Sequence, residues 1–208
     1  MGVDIATAVE QAESVRKARA GEVPRVAAAL ASAFETDPAF GWVLHDAPGR
    51  RAVLERGFTV LLDRLWMAQD ECYTTADAVG AAVWERPGEW KVPPLVQLRM
   101  GPAVMRAYGR HAPRLMRANL AMESGHPREE HYYLPFVGVV PGWQGRGIGA
   151  ALLRPVLDRC DRDRVPAYLE ASSPRNRVLY QRQGFEVTEE FRLGRGSPPL
   201  WRMWRVPR

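Results

Sequence analysis

The chain has 208 residues, 46% hydrophobic and 25% charged, with a formal net charge of +5. That is enough chain to bury a real core in one domain. The arginine surplus favours anionic ligands, but it forms no long basic tail, so nucleic acid is not indicated as a partner. Two isolated cysteines, Cys72 and Cys160, exclude a disulfide framework and a zinc site, and no apolar run is long enough to span a membrane.

Residues 1–13 are small and polar and read as an N-terminal extension before a domain over residues 14–208. Residues 14–20 alternate as a first strand would. Gly21-Glu22-Val23-Pro24 is a turn whose proline suits a helix start. In residues 25–35, Val26, Leu30 and Phe34 share one helical face, and Asp37-Pro38 is expected to stop that helix. Residues 50–69, with Val53, Phe58, Leu61, Leu62 and Leu65, read as a second amphipathic helix. The period then changes, and residues 72–75 and 79–84 read as two strands joined at Ala76-Asp77. A proline-rich loop leads into residues 95–122, expected to be helical in pieces broken at Pro102 and Pro113. Residues 132–139 are a strongly apolar strand, followed by a glycine-rich turn and a helix to Arg162, kinked at Pro155. A strand at 165–170, a short helix at 176–183 and an antiparallel pair, 185–193 and 200–206, complete the chain. The order predicts an α/β fold of the α+β type, a mixed sheet flanked by helices.

The chemistry is concentrated where Val137-Gly138-Val139-Val140-Pro141-Gly142-Trp143-Gln144 runs into Gly145-Arg146-Gly147-Ile148-Gly149-Ala150. The three alternating glycines leave backbone N–H groups uncovered at a helix start, a grip suited to a pyrophosphate. Gly145-x-Gly147-x-x-Ala150 also fits the dinucleotide fingerprint, and Glu170 stands where that fingerprint expects a ribose-binding carboxylate. Three features argue against a nicotinamide cofactor. Only one further βα unit follows the turn. The chain closes on a hairpin, which a parallel sheet does not want. And Val139-x-Pro141-x-x-Gln144 precedes the glycines.

That wider pattern resembles the acetyl-CoA motif of the GNAT N-acetyltransferase superfamily, Q/R-x-x-G-x-G/A, with Gln144, Gly147 and Gly149 in register. The resemblance implies a GNAT fold whose mixed sheet is splayed at the acetyl-CoA strand. It implies pantetheine contacts at Val137, Gly138 and Val139, and phosphate contacts from Gly145 through Arg146, Gly147, Ile148 and Gly149 to Ala150. The segment from Leu169-Glu170-Ala171-Ser172 through Arg175-Asn176 to Tyr180 and Gly184-Phe185 resembles the puromycin N-acetyltransferase branch, with Ala171 in place of its threonine. The asparagine that many members carry seven residues before the tyrosine is Ser173 here, so the branch pattern makes Asn176 the cofactor contact. The likeness extends to the helix around Ala29 to Phe34, to Ala81-Ala82-Val83-Trp84 and to Trp201-x-Met203.

The reaction so implied moves acetyl from acetyl-CoA to a primary amine of a small molecule. Such a reaction needs a base for the ammonium proton, for which Glu170 is the candidate. It needs a donor for the oxyanion, implied at the Val139 amide, and an acid for the leaving thiolate, for which Tyr180 fits because a phenol stays protonated at neutral pH. Trp66, Tyr73, Trp84 and Tyr132 are the acceptor-side candidates. No metal is expected. Protein N-termini or lysines, and a non-catalytic CoA-binding module, are the competing readings. Arg106, Arg110, Arg114 and Arg117 offer a weaker one, a dock for an acidic carrier protein. The N-terminus carries no basic stretch followed by an apolar core, so a cytoplasmic location is expected, as a monomer or homodimer.

Overall fold

The computed structural model describes residues 4–208. Helix α1 (Ile5–Glu13) precedes the short strand β1 (Arg16–Lys17), and α2 (Val23–Phe34) follows a single tight turn. The predicted strand at 14–20 shrinks to two residues because residues 20–22 already wind into that turn. Asp37-Pro38 ends α2 as expected and also starts α3 (Pro38–Val43). The Asp37 carboxylate accepts from the Ala39 and Phe40 amides at 2.9 and 3.1 Å, and Pro38 sits where its missing N–H costs nothing.

The helix expected over 50–69 is regular only as α4 (Arg50–Leu61). It then widens into a π-helical turn, Leu62–Trp66, which re-aims the side chains of its last residues. Strands β2 (Cys72–Thr74) and β3 (Gly80–Glu85) follow. Pro102 does not break its helix: α5 (Pro94–Tyr108) runs through it. The carbonyl left without a partner belongs to Leu98, an exposed residue, so water can serve it. The actual break is Gly109–His111, and Pro113 lies in the first turn of α6 (Ala112–Ser124), where proline is tolerated. Strand β4 (Tyr132–Val139) matches its expected bounds. Next come α7 (Ile148–Asp163), continuous through Pro155, then β5 (Ala167–Ala171), α8 (Pro174–Arg182), β6 (Glu186–Arg192) and β7 (Pro199–Arg205).

The seven strands form one sheet in the order β1-β2-β3-β4-β5-β7-β6, antiparallel except for the central pair β4 and β5. Both faces of the centre are covered, so β3 reads as a continuous buried run rather than an alternating one. Ala81 and Val83 point to a core shared with Leu30, Leu54, Phe58 and Leu62 from α2, α4 and the π turn. Ala82 and Trp84 point to a second core with Ile148, Leu152, Leu153 and Val156 from α7. Full burial of a side chain the size of Phe58 or Leu152 is worth about 1.5–3 kcal/mol, which is what pins each helix layer to its face. Gly138 lets α2 approach β4 closely: a Cβ there would lie 2.7 Å from the Ala33 methyl.

Candidate active site

The site begins with a flaw in the ladder between β3 and β4. Glu85 pairs with Tyr133 and Val83 with Phe136, so Leu134 and Pro135 together oppose Trp84 alone. This is a β-bulge in β4, placed at a proline that has no N–H to give the ladder. The extra residue inverts the side-chain alternation, so Phe136 returns to the face that Tyr133 occupies.

The bulge also turns the backbone. The Val140 N–H donates to the Val79 carbonyl at 2.9 Å, which sets Phe136, Gly138 and Val140 as the residues whose peptide groups face β3. Those of Val137 and Val139 face the other way. There β5 has already left: it pairs with β4 only over Tyr132, Tyr133 and Leu134. The two central strands therefore splay, and a length of β4 presents ladder groups to an open gap.

The gap leads to the glycine turn. Gly145 and Gly147 have φ of 77° and 83°, in the left-handed region that a side chain disfavours. Gly147 caps α7 without any side-chain hydrogen bond, and its carbonyl takes the Ala151 N–H at 3.0 Å. The amides of Ile148, Gly149 and Ala150 thus form the uncovered first turn of a 16-residue helix, with its positive dipole end directed outward. Gln144 holds the turn to the strand, its Nε2 donating to the Val139 carbonyl at 2.9 Å. Arg146 lies within the turn.

Helix α8 closes the gap from the β5 side. Ser173 caps it, accepting from the Asn176 amide at 3.2 Å, so the serine that stands in the usual asparagine position is a helix cap. Asn176 is half-buried in the first turn of α8. Tyr180 is buried, its ring 6.1 Å from Phe185, and burial, followed by the nearby Asp37 carboxylate, raises its pKa so that the phenol holds its proton. Asp37 itself is tied to Ser172 by a short hydrogen bond, joining the α2–α3 corner to the end of β5. Sequence reading saw Asp37 only as a helix stop.

Glu170 stands on β5 beside the bulge. Its Oε1 accepts from the Tyr168 hydroxyl at 2.9 Å, while its Oε2 is buried without a partner. Burial lifts its pKa to about 7, against the pull of the Tyr133 and Tyr168 phenols. A second carboxylate, Glu85, lies across β4 on the same face. It takes the Trp66 indole N–H at 2.8 Å on Oε1, and burial lifts its pKa to about 8. Beside this pair is a nest of rings around Phe136, with Phe58 at 5.1 Å, Trp66 at 5.3 Å, Phe34 at 5.5 Å and Phe40 at 6.1 Å between centroids.

Of the four acceptor-side candidates, the structure brings only Trp66 to this face. Tyr73, Trp84 and Tyr132 pack in the opposite core with α7. Strand parity separates them, since Trp84 and Glu85 are neighbours and must point to opposite faces. Glu85 and Phe136 were missed. Glu85 ends an apolar run and looks like an exposed strand terminus, and nothing local reveals the bulge that brings Phe136 to its side.

Arg110 is engaged by the Asp46 carboxylate at 2.9 Å, and Arg114 lies 4.1 Å over the Trp42 ring. His45, Asp46 and His111 bring ligand-type atoms within 4.8 Å of one another on the surface. There Arg110 holds Asp46 and Arg114 lies 3.2 Å from His45 Nδ1, two positive charges where a cation would enter.

Comparison with known proteins agrees with this geometry. Residues 122–199 match the acetyltransferase (GNAT) domain family model. An uncharacterized N-acetyltransferase of Schizosaccharomyces pombe is 37% identical over 83 residues, 38% of this chain and 34% of that protein, so the match spans about a third of that relative's length. A solved structure from Corynebacterium glutamicum, described as histone acetyltransferase HPA2 and related acetyltransferase, superposes with a TM-score of 0.73. It is 25% identical, over 94% of this chain and 96% of that one. Arylalkylamine N-acetyltransferase 2 of Aedes aegypti shares the fold at 12% identity, with a TM-score of 0.62 over 93% and 98% of the two chains. Residues 122–199 therefore match the GNAT acetyltransferase domain, and the chain has the GNAT fold.

Proposed function

We propose that the protein is an acetyl-CoA-dependent N-acetyltransferase acting on the primary amine of a small molecule, by direct transfer with both substrates bound. One observation carries this reading: β4 leaves β5 after Leu134, so the Val137 and Val139 peptide groups face a gap ending on the bare amides of α7. A pantetheine arm can complete such a strand edge, and the helix start can take the pyrophosphate.

In the proposed step, the amine nitrogen forms a bond to the thioester carbonyl carbon and the carbon–sulfur bond breaks. The ammonium proton goes to Glu170, directly or through water; the thiolate takes the Tyr180 proton, and the second proton that the nitrogen sheds on bonding to carbon restores the phenol. The Val139 N–H supports the oxyanion. Glu170 suits the base because its pKa of about 7 lies near the working pH. The ring nest around Phe136 supports a small acceptor over an extended peptide. The Aedes relative's name, which specifies arylalkylamines, is consistent with that class. The finer likeness to the puromycin branch rests on the spacing from Leu169 to Phe185.

A panel of amines with acetyl-CoA and a thiol-release readout tests the proposal. Turnover is expected on at least one small amine, with Tyr180→Phe slowing it by roughly tenfold or more. Thermal stabilisation by NAD and not by CoA would refute it.

A further inference from the structure

Amine acetylation as proposed needs one carboxylate on the acceptor side, and the structure holds two. Glu85 is 4% exposed. In both Glu85 and Glu170, Oε1 is satisfied by one aromatic donor, Trp66 Nε1 and the Tyr168 hydroxyl respectively, while Oε2 is buried with no hydrogen-bond partner. Among the described residues, these are the carboxylate oxygens in that condition.

The two are placed together by the sheet. Glu85 pairs in register with Tyr133, and Tyr133 with Tyr168, two residues before Glu170. Both glutamates therefore stand on the strands flanking β4, on one face, with backbones roughly 12 Å apart, from two strand spacings across and two residues along. Extended glutamate side chains can direct both free oxygens toward one ligand across that distance.

The Tyr133 and Tyr168 phenols and the Arg202 charge act on Glu170, whereas Glu85 has the Trp66 indole N–H as its donor. Arg202, in register with Glu170, is engaged by Glu189 and by the Ala121 carbonyl at 3.1 Å. A buried carboxylate oxygen among aromatic rings has lost its water and gained nothing, a condition that persists where a ligand is to supply the donor.

We infer that Glu85 and Glu170 form an anionic seat selecting acceptors with two cationic nitrogens, the reacting amine at Glu170 and a second ammonium or guanidinium at Glu85. The inference rests on the amine-acetylating reading. The reacting nitrogen surrenders its proton to Glu170, so it cannot also serve as the lasting counter-charge of Glu85. A second, non-reacting cation can. An acceptor without it would leave the buried Glu85 oxygen unpaired, and sites built around such a group discriminate strongly against the ligand that lacks it. The rings of Trp66 and Phe136 suit the apolar stem between the two nitrogens.

The test compares putrescine with n-pentylamine, an amine of similar length lacking the second charge. Two readouts are taken: kcat/KM with acetyl-CoA, and calorimetric binding to the CoA-loaded protein. Wild type should favour putrescine by roughly ten- to a hundredfold in both, the range set by a hydrogen bond to a charged group. Glu85→Gln should bring the ratio below about threefold, while Trp66→Phe, which keeps the carboxylate, should retain the preference. A single cooperative melting transition in each shows that the variants fold. Equal treatment of the two amines by wild type, or an undiminished preference in Glu85→Gln, overturns the inference. If neither amine is acetylated but putrescine binds with Glu85-dependent preference, the transfer reading fails and the seat stands. If both are acetylated without preference, the reverse holds.

Discussion

Glu71 and Glu85 stand opposite each other in kind. Each is a buried glutamate at a strand end, Glu71 just before β2 and Glu85 closing β3, and they belong to opposite sides of the sheet. Glu71 is saturated. Arg159 from α7 grips both its oxygens at 2.7 and 2.8 Å, and Tyr73 and Arg86 add bonds at 3.0 and 3.3 Å. Burial alone would raise the Glu71 pKa, but the Arg159 hydrogen bonds and charge outweigh it and the net shift is downward. Glu85, like Glu170, keeps one oxygen without a donor, and its pKa goes up. The first arrangement fastens α7 to the sheet. The second leaves interaction free energy unspent, the mark of a place where something else binds.

That contrast can be broken by substitution. The largest effect is expected from Glu170→Gln, which removes the proposed base: kcat/KM should fall by roughly 10²–10⁴, with stability kept or raised. A loss under about threefold would take Glu170 out of the chemistry. On the other side of the sheet, Arg159→Met strips the buried Glu71 charge of its two shortest bonds and leaves it only Tyr73 and Arg86. Urea unfolding should show a loss of about 3–5 kcal/mol, while the surviving folded protein still transfers acetyl. If Arg159→Met costs almost nothing, Glu71 is not the anchor described here.

A smaller and opposite effect is expected from Glu85→Gln without ligand, a stabilisation of about 1–3 kcal/mol near pH 9. The sign follows from linkage. The folded pKa of Glu85, about 8, lies above its ordinary value of 4.5, so its contribution is intact below 4.5 and is lost as pH rises through about 8. The advantage of the variant should therefore fade toward about pH 5, and thermal melts at the two pH values check it. A variant equally stabilised at both would show that desolvation of the charge is not the cause. The mildest test is the pH profile of the wild type: with Glu170 titrating at about 7, kcat/KM should rise tenfold per pH unit below that value and level off above it.

Much of this was legible from local pattern. The apolar run 132–139, the glycines at 145, 147 and 149 and the tyrosine of α8 stand in one contiguous piece of chain, and their meaning is carried by short-range geometry: a strand, a turn with φ above zero, a bare helix start. The proline rules misled where solvent could compensate, at Pro102; at Asp37 the helix stop held, but its second part as cap of the next helix was not read.

By itself, the sequence determined the strand, glycine turn and helix start of the proposed acetyl-CoA side, because one backbone segment makes that grip and needs little from elsewhere. The acceptor side was decided by tertiary structure alone. The bulge at Leu134-Pro135 exists only in the pairing of β4 with β3. It turns Phe136 to the face of Tyr133 and sends the Val137 and Val139 peptide groups toward the gap. Glu85 and Glu170, 85 positions apart in the chain, become neighbours because β4 lies between their strands, and their free oxygens result from which donors the folded chain brings near. No local pattern encodes a missing partner, because that is a property of the whole packed interior.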